Sequence, residues 1–383
     1  MKNKIKVLQI GAENFGYGGR SVIAYNLALN MNPNLVQNDF LALKYPQKSQ
    51  YINRINKQGK VIFISPGNSI LPLVNEYIKD VKIYQTVRKN KYNIVHIHAD
   101  NAYEALKSAF LAKIGRITTH IYIHAHSVGS ADYSSFKKII IKVSRMFLPL
   151  VSDKCLACTK EAGEYMFGKN SNFDIVEDGI IVNKFLFNPQ VRKKFRQEFN
   201  VEDKFVIGTV ARLSKEKNLD FLISIFNKLC IDYKKPDLEL IIVGDGEERK
   251  NLITQISKLK IKNKIHLLGN RSDVADLLQM FDLFVLPSLH EGFGMSALEA
   301  QVAGLSTVVS TGVSPATRLV NDLYYRIDIH AESKRWESIL RKIIVKNVKR
   351  RNVKNLIKNK NCDVTTTSKK VQQMYLNSIQ EKG

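Results

Sequence analysis

The sequence predicts an α/β protein made of two doubly wound parallel-sheet domains. Short runs rich in β-branched residues recur along the chain, and helix-length segments separate many of them. The 383 residues also exceed what one ordinary core organises. A first series of strands is expected at Ile5–Ile10, Val61–Ile64, Ile94–Ile97, Ile117–Ile123 and Lys154–Cys158, with helices over Ser21–Asn30 and Ala102–Ile114. A second series is expected at Phe205–Val210, Leu238–Val243, Ile265–Leu268, Leu283–Leu286 and Ser306–Val309. The helices between these are Asn218–Tyr233, Glu247–Lys260, Val274–Met280 and Ser296–Ala303. The joint is expected near 179–200, where Asn183, Asn188, Pro189 and the cluster Arg192, Lys193, Lys194 and Arg196 interrupt the pattern. The boundary is set at 1–182 and 183–361.

Composition narrows the function classes. At 44% apolar and 25% charged the chain is globular in type. No apolar run approaches the roughly 18–20 residues of a membrane span. Lys2, Lys4 and Lys6 precede only a four-residue apolar stretch ending at Ile10, without a small-residue cleavage site. That start reads as a strand and the protein as cytoplasmic. Four cysteines make no disulfide framework. Cys155 and Cys158 form a C-x-x-C on a strand rather than at a helix start, which reads as structural. The net charge of +24 is uneven. Residues 1–150 carry 21 Lys/Arg against 7 Asp/Glu, residues 151–300 carry 22 against 22, and residues 301–383 carry 16 against 6. Such a field suits an anionic partner, either nucleic acid or a lipid surface. No nucleic-acid-binding motif accompanies it, so no nucleic-acid partner is assigned.

Doubly wound sheets bind ligands beyond the C-terminal ends of their strands, beside helix N-termini. The first strand runs into Gly11-Ala12-Glu13-Asn14-Phe15-Gly16-Tyr17-Gly18-Gly19-Arg20, which is neither a dinucleotide fingerprint nor a P-loop. Phe205–Val210 leads into a loop with Arg212 and Lys217, two cations suited to a diphosphate. The densest segment is Pro287-Ser288-Leu289-His290-Glu291-Gly292-Phe293-Gly294, then a helix near Met295 that carries Glu299. A helix dipole there favours phosphate, and two acids eight residues apart can grip hydroxyl groups. His96 with His98, and His124 with His126, pair on strand faces at two of the predicted ligand edges.

Together these segments resemble the retaining glycosyltransferases of family four, with the GT-B architecture of two facing Rossmann-like domains. The resemblance spans about residues 5–320 and is most specific over Pro287–Gly294 through Glu299-Ala300, the family's Glu-x7-Glu motif. Gly18-Gly19, Gly244-Asp245-Gly246, Cys158–Gly163 and Asp178-Gly179-Ile180 stand where family signatures stand. His124-Ala125-His126-Ser127 and Glu164–Gly168 resemble the bacterial exopolysaccharide and capsule subgroup. Asp178 replaces the family's linker Asn, and Ser310–Ala316 replaces its Gly-x-Pro-Glu loop.

The resemblance implies an N-terminal acceptor-binding domain, completed by a crossover helix at about 362–383, and a C-terminal nucleotide-sugar domain. It implies transfer from a nucleotide-sugar, with uracil the expected base, to a lipid-linked or polysaccharide acceptor. No metal or other cofactor is expected. Arg212 and Lys217 would hold the diphosphate and Glu299 the ribose. Glu291 would meet the sugar, with Gly292, Phe293 and Gly294 presenting backbone amides. Gly18 and Gly19 would meet the phosphate, and His126, or secondarily His124, the donor sugar. A non-catalytic partner subunit would be expected to lose Glu291, Arg212 or Lys217, and all are present. A GT-B epimerase would act without acceptor, and a phosphorylase would need phosphate. Ser135–Leu150 places Lys137, Lys138, Lys142 and Arg145 on one helical arc, with Ile139, Ile140, Val143, Met146, Phe147 and Leu150 roughly opposite. Two roles fit that pattern: an ordinary scaffold helix with a solvated basic face, and a peripheral contact with the anionic inner leaflet.

Overall fold

Runs of Val, Ile and Leu become strands because both faces of a parallel sheet are covered, so every residue of such a strand is buried. The computed structural model describes residues 4–12, 19–42, 50–64, 72–129, 133–232, 237–358, 360 and 362–380. The chain divides into two units, Met1–Ile180 with Asp363–Gly383, and Ile181–Cys362.

In unit 1 the strands are β1 (Ile5–Ile10), β2 (Val36–Ala42), β3 (Val61–Phe63), β4 (Ile94–Ala99), β5 (His120–Ala125), β6 (Lys154–Ala157) and β7 (Asp174–Ile175). Between them run α1 (Gly19–Leu29), α2 (Gln50–Ile55), α3 (Pro72–Asn90), α4 (Ala102–Gly115), α5 (Ser135–Val151) and α6 (Lys160–Phe167). The sheet order is β3-β2-β1-β4-β5-β6-β7 and every pairing is parallel. Side-chain caps set the helix starts: Asn101, Ser134 and Thr159 accept from Glu104, Lys137 and Ala162 backbone amides.

Unit 2 opens with α7 (Val182–Phe185) and α8 (Pro189–Glu198). Its strands are β8 (Phe205–Val210), β9 (Leu238–Val243), β10 (Ile265–Leu267), β11 (Leu283–Leu286), β12 (Ser306–Ser310) and β13 (Tyr324–Ile327). Its remaining helices are α9 (Leu219–Asp232), α10 (Arg249–Ser257), α11 (Val274–Met280), α12 (Met295–Val302), α13 (Ser333–Lys346) and α14 (Lys354–Ile357). The order is β10-β9-β8-β11-β12-β13, again parallel throughout. Strand order therefore reverses between β1 and β4 in one sheet, and between β8 and β11 in the other, which is where such sheets open a crevice.

The expected five-strand series lengthen to seven and six. β2 escapes hydropathy reading because Gln37, Asn38 and Asp39 sit mid-strand. Asn38 accepts from Gln9 at 2.8 Å, and Asp39 accepts from the Tyr92 hydroxyl at 2.7 Å and from the Lys60 amide at 3.0 Å, so these buried polar groups are paired. β7 has only two residues and β13 is a short edge strand. β5 begins at His120 rather than Ile117, which is 81% exposed.

The polar C-terminal stretch ends in a packed helix, α15 (Val364–Gln380), which returns to unit 1. Val371 and Tyr375 are fully buried among Val7, Ile94, Tyr122 and Leu156. Ser368 donates to the Leu27 carbonyl at 2.8 Å, and the Tyr122 hydroxyl donates to the Met374 carbonyl at 2.9 Å.

Helix α5 packs by a narrow strip, Ile141, Ser144 and Leu148, and not by the wide apolar arc. That arc faces outward: Phe136 is 73% exposed, Ile139 60%, Met146 73% and Leu150 77%. The helix is beside α4, which exposes Phe110 and Ile114. Lys137, Lys138 and Lys142 are exposed along it, while Arg145 turns to the Tyr165 carbonyl at 2.5 Å. The basic face is solvated, as in an ordinary scaffold helix, but the apolar arc is solvated too.

Candidate functional site

In unit 2 the loops after β8, β9, β11 and β12 are tied to one another at the C-terminal edge of the sheet. Gly244 follows β9 at φ +134°, and a Cβ there would lie 1.9 Å from the Ala211 carbonyl oxygen. The Leu213 amide donates to the Asp245 carbonyl at 3.0 Å, which fastens the β9 loop to the β8 loop. The Leu289 amide donates to the Glu216 carbonyl at 2.7 Å, and the Glu291 amide to the Gly312 carbonyl at 3.0 Å. A Cβ at Gly312 would lie 2.3 Å from the Leu289 carbonyl oxygen, so the β12 loop can close on the β11 loop only as glycine.

This frame holds a charged constellation at the switch between β8 and β11. Lys217 Nζ pairs with Glu291 Oε1 at 2.5 Å, and the two side chains are 19% and 13% exposed. Ser288, fully buried, donates to the same Oε1 at 3.0 Å. Gly294 takes φ +102° as the cap of α12, so the backbone turns from loop to helix at that residue. Phe293 is buried, while Gly292 keeps partial solvent contact. Arg212 is exposed on the β8 loop, its side chain with no bonded partner among the described residues. Glu299 lies on α12, and desolvation raises its carboxyl to about 7 against an opposing pull from Lys184. The frame thus offers two cations, a helix N-terminus and two carboxylates, a set suited to a diphosphate with hydroxyl groups on either side.

Unit 1 carries a second buried polar group. His96 and His98 on β4, His124 on β5 and His126 just beyond it stack on one face, with neighbouring ring centroids 4.2–5.5 Å apart. His98 bonds His126 (Nδ1 to Nε2, 2.9 Å) and Gln9 (2.9 Å), and His96 bonds the Tyr375 hydroxyl. His126 Nδ1 stands 3.4 Å from Asp178 Oδ1. Desolvation holds His126 at about 3 and drives His96, His98 and His124 well below the ordinary imidazole value. It raises Asp178 to about 8. Burial likewise raises the Cys155 and Cys158 thiols, and both are free, a state that suits structural and not reactive cysteines.

Residues 190–366 match the family model "Glycosyl transferases group 1". Over that segment, which makes up most of unit 2, the chain is similar to the group 1 glycosyl transferases. A Bacillus subtilis protein bearing the glycosyltransferase name EpsF is 23% identical over 350 residues, covering 89% of this chain and 88% of that protein. The Escherichia coli UDP-Gal:alpha-D-GlcNAc-diphosphoundecaprenol alpha-1,3-galactosyltransferase is 29% identical over 249 residues, covering 61% of this chain and 62% of that enzyme. The crystal structure of Anabaena Alr3699/HepE in complex with UDP and glucose superposes with a TM-score of 0.77 at 18% identity, covering 97% and 99% of the two chains. WaaG, a glycosyltransferase involved in lipopolysaccharide biosynthesis, gives 0.76 at 15% identity, covering 97% and 99%. These likenesses show the GT-B fold.

The structure brings Lys217, Glu291, Gly292, Phe293, Gly294 and Glu299 onto one loop–helix junction and its neighbour loop. Gly18 lies outside the described residues, and Gly19 opens α1. The expectation that His126 meets the donor sugar through its ring has a physical obstacle. The side chain is 2% exposed, Nε2 is used by His98, and Nδ1 faces Asp178. Ser288 and Gly312 were not singled out by sequence reading. A signal existed for Ser288, three residues before Glu291 in a tight loop, but none for Gly312.

Proposed function

We propose that the protein is a retaining hexosyltransferase that moves a sugar from a UDP-sugar to a growing, lipid-linked cell-surface polysaccharide. The observation that carries this reading is the Lys217–Glu291–Ser288 constellation beside the N-terminus of α12. Lys217, with Arg212 from the same loop, would hold the donor diphosphate and stabilise the charge it gains as the anomeric bond breaks, a task for which no metal is required. Glu291, with its carboxylate fixed by Ser288, would take the hydroxyl groups of the transferred sugar, and Gly292 to Gly294 would present amides to it. Glu299 would accept from the ribose. The acceptor would attack on the face the phosphate leaves, with the departing phosphate taking its proton. His126, its ring enclosed by His98 and Asp178, would not touch the sugar with that ring. The named activity of the E. coli relative on a diphosphoundecaprenol acceptor, and the Anabaena complex with UDP and glucose, support the donor and acceptor classes. Thermal protection of the purified chain by a panel of nucleotide-sugars tests the reading. Selective protection by one UDP-sugar supports it, and equal indifference to all donors and to UDP refutes it.

We also propose that unit 1 binds the anionic cytoplasmic leaflet as a peripheral protein. The outward apolar arc of α5, flanked by Lys138 and Lys142, favours this placement. Among the described residues no helix is long and apolar enough to cross a membrane.

A further inference from the structure

The stacked histidines of unit 1 leave an unusual remainder. Five buried side-chain atoms in this one cluster have no hydrogen-bond partner among the described residues: His96 Nε2, both ring nitrogens of His124, His126 Nδ1 and Asp178 Oδ1. Buried polar groups are almost always paired, so a concentration of unpaired ones calls for an explanation, and a bound ion is one that their chemistry allows. His124, His126 and Asp178 each place a donor atom within 4.8 Å of the others. All three residues are buried.

We infer that His124, His126 and Asp178 form a binding site for a zinc-class divalent cation, apart from the donor chemistry of unit 2. Spacing supports it. The 3.4 Å between His126 Nδ1 and Asp178 Oδ1 is long for a hydrogen bond. Two ligands each about 2.1 Å from a tetrahedral ion lie about 3.4 Å apart. The donor set supports it too: two imidazoles and one carboxylate suit zinc or cobalt over magnesium or calcium. The outer contacts are in place, since His98 bonds the far nitrogen of His126 and is itself held by Gln9. The Val176 backbone bears on the His124 ring. Cys158, buried and bonded to the Asp178 carboxyl, stands beside the site.

An ion here would join the end of β5 to the residues after β7. Asp178 lies two residues before the end of unit 1's first segment, so the ion would pin the chain where it leaves that unit. The role is structural.

The test uses the full chain, stripped by a chelator and titrated with Co²⁺ alone and then with Zn²⁺ alone. We expect about one tightly held ion per chain, a tetrahedral Co²⁺ absorption spectrum, and a rise in the thermal midpoint on metal addition. His124→Gln and Asp178→Asn should each weaken Zn²⁺ binding at least about tenfold and abolish that rise. His330→Gln, at an exposed histidine of unit 2, should change neither. Circular dichroism confirms that each variant is folded, and His124→Asn serves if His124→Gln is not. Failure of the parent to hold either ion overturns the inference, as does equal binding by parent and His124→Gln. Both readouts are independent of sugar transfer, so the proposed activity stands or falls separately.

Discussion

Replacing Met146 and Leu150 with Gln should detach the protein from anionic vesicles without unfolding it. Both side chains are about three-quarters exposed, at 73% and 77%, and α5 is anchored instead by Ile141, Ser144 and Leu148. Burying an exposed Leu or Met side chain is worth roughly 1.5–3 kcal/mol. At this exposure the pair would contribute about 3 kcal/mol, or roughly 100-fold in partition. Lys137, Lys138 and Lys142 would add about 1 kcal/mol each near an anionic surface, and less as salt screens them. Arg145 is engaged by Tyr165 and contributes less. The assay is sedimentation with vesicles of phosphatidylglycerol and phosphatidylcholine in equal parts, and with phosphatidylcholine alone. Val345→Gln, at an exposed apolar residue of unit 2, is the control and should bind like the parent. Equal binding to neutral vesicles refutes the reasoning, as does an unchanged partition for the double variant. A shift from dimer to monomer in the double variant would instead assign the arc to a second copy of the chain.

Arg212→Ala and Lys217→Ala should each lower kcat at least about tenfold with the fold intact, because both lie on the connection between β8 and α9 and outside the sheet; near-parental rates in both remove the diphosphate role. Glu299 should make UDP binding pH-dependent. With its carboxyl raised to about 7, it is protonated below that pH and loses acceptor strength, so affinity should fall from pH 8 to pH 6, and Glu299→Gln should flatten the dependence. For the empty protein the sign is opposite: the raised value favours folding at low pH, and that contribution is lost as pH rises through about 7. Brief EDTA treatment should leave the transfer rate within about twofold, since cations and a helix N-terminus meet the phosphate charge. A rate lost to EDTA and restored by Mg²⁺ would contradict that assignment.

Strands with uninterrupted β-branched runs were legible because burial on both faces imposes one residue type. β2 was not, since its stability depends on partners far off in sequence: Tyr92 for Asp39 and Gln9 for Asn38. The arc of α5 was legible as a pattern but not in its direction, because an apolar stripe states which residues shun water and not what covers them. At the site, Glu291, Gly294 and Glu299 announced themselves by local spacing. The ion pair of Glu291 with Lys217 joins residues 74 apart and needed the strand order to bring their loops together. Asp178 looked like a departure from a linker signature, and only the packing of β5 and β7 around β6 sets it beside His126.

The return of α15 to unit 1 bears on how the chain is made. A ribosome delivers all seven strands of the first sheet before unit 2 begins, yet part of one face of that sheet lacks its cover until Val371 and Tyr375 arrive. At 5–20 residues per second, the roughly 180 residues in between take about 10–40 s. During that interval Val7, Ile94, Tyr122 and Leu156 lack their final cover, and an exposed apolar sheet face is prone to off-pathway association. The nascent half-finished protein is therefore a client for a holding chaperone, and its window of vulnerability is set by the length of unit 2. A stop codon just before Val364 would damage the domain synthesised first.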